Sequence, residues 1–132
     1  MKGILLLVPT FFVITLLPNA PGMAQQTEQV PDDEKCDYPI YKGSEVDKKL
    51  RILGKPEPDF SAQERREHFH EKIVLTTLFC GSGEVTKIRV KSGLSDRVDA
   101  KAIKAARKIR FTPGEKDGKK VSQWLIVEYL IQ

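Results

Sequence analysis

The stretch Lys72–Lys91, KIVLTTLFCGSGEVTKIRVK, decides the fold. It reads as a long strand, a glycine turn and a returning strand. Ile73, Leu75, Thr77 and Phe79 alternate with Val74, Thr76, Leu78 and Cys80, so both faces are apolar or β-branched. A strand with neighbours on both sides and a covered face has this composition. Gly81-Ser82-Gly83 supplies residues that tolerate the positive φ a tight hairpin requires. The return strand alternates more strictly, with Ile88 and Val90 expected inward and Lys87, Arg89 and Lys91 outward.

Downstream, Ser92-Gly93-Leu94-Ser95 makes a turn, with Ser95 placed to cap a helix. Asp96 and Asp99 fall in its first turn, and Arg107 and Lys108 in its last, as the helix dipole favours. Val98, Ala102, Ala105 and Ile109 form the apolar stripe, and the alanines let the helix approach a sheet closely. Lys101, Lys104 and Lys108 are expected on the solvent side. Phe111-Thr112-Pro113-Gly114 ends the helix, Asp117-Gly118 marks a turn, and Val121–Ile131 is the last strand.

Upstream, Val46–Leu53 has the pattern of a short strand ending at Gly54. Lys55-Pro56-Glu57-Pro58 is held extended, because each proline fixes its own φ and biases the residue before it away from helix. Ser61 and Glu64 form a capping box for a short helix reaching about Glu67. His68 and His70 would share a face if extended, but no nearby cysteine or carboxylate cluster completes a zinc site, so they read as surface residues.

The first 24 residues have a different character. Lys2 precedes an apolar run from Ile4 to Leu17, and Gly22-Met23-Ala24 gives a small-x-small site, the layout of a signal peptide cleaved before Gln25. The competing reading is an uncleaved anchor. The run is fourteen residues long and contains Pro9, short of the roughly 17–25 residues that span a bilayer. Residues 25–45 read as an irregular lead-in and residues 46–132 as one domain. Export makes Cys36 and Cys80 candidates for a disulfide, the alternative being two independent thiols. The net charge of +4 hides an asymmetry: residues 27–71 hold 8 basic and 12 acidic residues, residues 84–120 hold 12 and 5. For an exported chain, a solvated lysine-rich face or an anionic envelope partner fits this half better than nucleic acid.

The expected architecture is α+β: an antiparallel three-stranded sheet, with a short N-terminal strand in addition, and two helices on one face. A right-handed crossover through the long helix puts the last strand beside the first strand of the hairpin. It then lies at an edge unless 46–53 covers it, and an open edge can accept a partner's strand.

This ordered set resembles the C-terminal domain of TonB, the energy transducer of the Gram-negative envelope, over Ile52–Gln132. The resemblance is carried by Lys55-Pro56-Glu57-Pro58, Gly81–Gly83, Val85–Val90, Ser92-Gly93-Leu94, Arg110-Phe111-Thr112-Pro113, Asp117-Gly118-Lys119 and the closing aromatic strand. It implies a periplasmic adaptor that binds the TonB box, a short extended segment of outer-membrane receptors, or other envelope proteins. The segment would add beside Trp124, Leu125, Ile126, Val127, Glu128 and Tyr129, with the Pro56–Pro58 region a second candidate nearby. The same edge could join two copies of the chain. Three departures from the full-length pattern, a short apolar run read as cleaved, no His in it and no long proline-rich spacer, bear on force transmission rather than on peptide binding. An alternative is an envelope binding or structural module with this fold and no part in energy transduction. No nucleophile elbow or phosphate loop is present, so no enzyme activity, metal or cofactor is expected.

Overall fold

The structure, a computed structural model, describes residue 3 and residues 35–132. The export segment read at 1–24 and the lead-in up to 34 otherwise lie outside the described residues.

The alternating stretches assemble into one antiparallel sheet in the order β3-β2-β7, from β2 (Lys72–Phe79), β3 (Val85–Ser92) and β7 (Gln123–Leu130). β2 is central, consistent with apolar residues on both of its faces. Its register against β7 runs without a break from Lys72↔Leu130 to Phe79↔Gln123. α2 (Asp96–Ala106) carries the crossover and buries Val98, Ala102, Ala105 and Ala106 against the sheet face formed by Ile73, Leu75, Phe79, Val127 and Tyr129. Ser95 caps it by accepting the Val98 N–H. α1 (Ala62–Glu67) starts at the expected capping box: Glu64 donates its N–H to Ser61 Oγ, and Ser61 N–H returns to Glu64 Oε2. Glu64 ties α1 to α2 through Lys101 Nζ at 2.6 Å and Arg97 Nε at 3.4 Å. Lys101, expected in solvent, is therefore partly enclosed by this pair.

The hairpin turn divides its glycines by task. Gly83 uses a positive φ of 98°. Gly81 does not; a Cβ there would lie 2.5 Å from Tyr38 Cδ1, so its role is close approach. Register slips between Thr76/Leu78 and between Val74/Leu75 insert bulges into β3, and Lys87 takes φ 48° at the first of them. The strict alternation expected for β3 is lost there, and Val90 ends 42% exposed while Ile88 stays buried.

Short strands account for the remaining differences. The N-terminal strand β1 covers only Arg51–Gly54 and does not flank the last strand. It pairs antiparallel with β4 (Arg110–Thr112), Ile52 opposite Phe111. The physical reason is Phe111: its ring meets Phe79 edge-on at 4.8 Å, so the chain leaving α2 must run extended to seat it. The last strand is divided as well. β5 (Gly114–Lys116) and β6 (Lys119–Val121) form a hairpin around Asp117 and Gly118, both at positive φ as a primed turn demands, before β7 begins. Residues 47 and 48 dock on this hairpin, where Lys48 ion-pairs with Glu115 at 3.2 Å and Asp47 Oδ2 accepts the Asp117 N–H.

Candidate functional site

β7 is an edge strand, and the hydrogen bonds at its ends show which of its backbone groups face outward. Ile131 donates to Glu71 O and accepts from His70 N–H on the β2 side. Odd-numbered residues therefore point their peptide groups at β2, and even-numbered ones point them away. Ser122, the first outward position, donates to Pro39 O at 2.8 Å and accepts from Tyr41 N–H at 2.9 Å. At the other end Lys55 Nζ donates to Glu128 O at 2.5 Å. Between these contacts the N–H and C=O of Trp124 and Ile126, and the N–H of Glu128, meet no hydrogen-bond partner among the described residues.

The side chains alternate in the other direction. Trp124 (44% exposed), Ile126 (56%) and Leu130 (48%) form an apolar row on the face away from the helices, interrupted by Glu128, which pairs with Lys72 at 3.2 Å. Val127 and Tyr129 are buried in the core and Leu125 is half-buried against it. The six consecutive residues expected at the site thus split three and three between faces. What they share is the strand's outer margin.

Two hollows flank that margin on the core side. One, of about 580 Å³, lies between residues 43–50 and the start of β7, walled by Val46, Leu50, Gln123 and Leu125. The other, of about 430 Å³, lies beyond Lys55 and is walled by Phe60, Arg65, Tyr129 and Gln132. Each has a lining residue with a buried polar atom lacking a partner among the described residues, Gln123 Nε2 in the first and Tyr129 Oη in the second. Burial, helped by the charge of Glu57, pushes the Tyr129 phenol up to about 12. The Lys55 ammonium sits 4.5 Å above the same ring, which holds it beside the edge.

The strap that covers Ser122 is anchored by a bond between Cys36 and Cys80, with the two Cα atoms 5.8 Å apart. Ser122 Oγ stands at the same junction, 3.0 Å from Cys36 Sγ and accepting the Gly81 N–H at 2.8 Å. His68 lies against Glu71 at 3.2 Å and the His70 ring against Phe69 at 4.0 Å. Among the described residues no three His, Cys, Asp or Glu side chains gather as metal ligands, and no helix is long and apolar enough to cross a membrane. Sequence reasoning missed Lys55, Gln123 and the 39–41 strap. Only Lys55 left a trace, as the residue leading the Pro56–Pro58 run that the resemblance put near the last strand, and nothing in the sequence singles out its side chain as the contact.

No curated protein matches the chain. Among solved structures, the solution NMR structure of the Pseudomonas aeruginosa TonB CTD is similar at a TM-score of 0.51 and 18% identity, covering 63% of this chain and 85% of that one. The likeness is one of fold. The family model described as Gram-negative bacterial TonB protein C-terminal matches residues 56–130, from the Pro-Glu-Pro run to the end of β7. The chain belongs to the TonB C-terminal domain family.

Proposed function

We propose that this chain is a periplasmic interaction module that takes up an extended segment of an envelope protein, the TonB box of an outer-membrane receptor in the first instance, as an added strand along β7. The observation that carries this reading is the run of outward peptide groups at Trp124 and Ile126, with the Glu128 N–H, that meet no partner among the described residues on a strand in full register with β2. An edge of that kind supplies affinity through backbone hydrogen bonds, and hollows beside it select side chains. The chain would be exported through residues 1–24, and the Cys36–Cys80 bond suits the oxidising compartment this implies. Residues 46–132 would be the receptor-facing domain. Its work would be binding, without catalysis or cofactor.

The apolar row of Trp124, Ile126 and Leu130 favours a second reading, a homodimer formed edge to edge in an envelope module that transmits no force. Titration of the ¹⁵N-labelled exported chain with TonB-box peptides separates the two. Strand addition shifts the amides of Trp124, Ile126 and Glu128 at a protein concentration where sedimentation gives a monomer. Shifts that follow protein concentration and ignore peptide would establish the dimer instead.

A further inference from the structure

The pairing edge is closed at both ends by the chain itself, and on the reading of β7 given above this has a consequence for partners. We propose that strand addition is confined to a window from Trp124 to Glu128, so that a partner contributes about five paired residues in one register. The disulfide-anchored strap bounds one end and the Lys55 ammonium the other.

At the first boundary, both peptide groups of Ser122 are already spent on Pro39 and Tyr41, and the strap runs parallel to β7 at Ile40↔Ser122. An incoming strand would have to occupy the space these residues fill. Cys36–Cys80 fixes the start of the strap, Tyr38 packs on Gly81, and the chain turns away after Tyr41 through the Lys42–Glu45 turn. At the second boundary, pairing beyond the Glu128 N–H needs a partner N–H at Glu128 O, where Lys55 Nζ now donates. The Tyr129 ring beneath the ammonium holds it at that carbonyl. Lysine on an exposed edge is a general device against unwanted pairing. Here it shortens the edge without closing it.

What remains without a partner among the described residues are the N–H and C=O of Trp124 and Ile126 and the Glu128 N–H, a span of roughly 15 Å at the rise of an extended chain. The partner that fits is a short extended segment. Its residues opposite Trp124 and Ile126 carry apolar side chains on the open face, and those between them point toward the Leu125 side. Segments longer than the window gain nothing from their extra residues while both ends are closed. Opening an end makes length count.

The test is calorimetric titration of the intact exported chain with capped peptides of five and nine residues from one TonB-box sequence, repeated on Lys55→Met. In the wild type the two peptides bind within about twofold of each other. In Lys55→Met the nine-residue peptide gains on the order of tenfold, as one further pair of backbone bonds allows, and the five-residue peptide does not. Hydrogen exchange of the wild-type complex protects the Trp124, Ile126 and Glu128 amides and leaves Leu130 exchanging. A tenfold advantage for the long peptide in the wild type, or protection at Leu130 there, overturns the window while leaving strand addition standing. The absence of binding by either peptide overturns both.

Discussion

Two side chains translate the packing into pH dependence. Glu64 is held below the ordinary glutamate range, first by its hydrogen bond from Lys101, then by the Ser61 N–H, with the Lys101 and Arg97 charges adding and burial opposing. A depressed carboxyl stabilises the fold above its unfolded value, near 4.5, and that contribution is lost as pH falls through the lower folded value. Glu64→Gln should therefore lower the urea midpoint at pH 7 and flatten its decline between pH 5 and pH 3. Tyr129 has the opposite sign. Its phenol is raised to about 12, so above roughly pH 10 the unfolded chain ionises first and stability falls. Tyr129→Phe should remove that alkaline loss. Because the hydroxyl has no partner among the described residues, the same change should alter neutral-pH stability by less than about 1 kcal/mol in a denaturant titration.

At the scale of elements, the strap and the hairpin turn form one joint. The disulfide closes a sequence separation of 44 residues, for which loop entropy implies roughly 4 kcal/mol. Cys36→Ser/Cys80→Ser should lose stability of that order in equilibrium unfolding. Gly81→Ala drives a methyl into the Tyr38 ring and should cost about 1–3 kcal/mol by the same measurement, although its backbone needs no positive φ. The elements that could be read from sequence are those with a period long enough to count: β2, the α2 stripe of Val98, Ala102 and Ala105, and the Ser61–Glu64 cap. Of β1 the sequence showed a short strand ending at Gly54 but neither its true length nor its partner, and β4 was hidden altogether, since three residues carry no period and Ile52 and Phe111 meet from distant parts of the chain. The β3 bulges were hidden because a lysine, not a glycine, adopts the left-handed backbone at position 87. For the site, the edge position of β7 followed from topology, whereas its two boundaries depend on a side chain and a strap whose contacts only three dimensions supply.

For the molecule as a whole, the sheet order β3-β2-β7 leaves β7 at an edge, with the strap at Ser122 and Lys55 at Glu128 standing at its two ends. Strand addition works through backbone groups, so it is tested by removing one. The Ile126 N–H points outward and pairs with nothing among the described residues, so proline there sits where an edge strand tolerates it. The measurement is the affinity of Ile126→Pro for a TonB-box peptide beside that of Ile126→Ala, each first checked for a native thermal transition. If partners add along β7, both variants fold, alanine binds within a few fold of wild type, and proline loses at least tenfold. A folded Ile126→Pro protein that binds as tightly as Ile126→Ala would contradict strand addition.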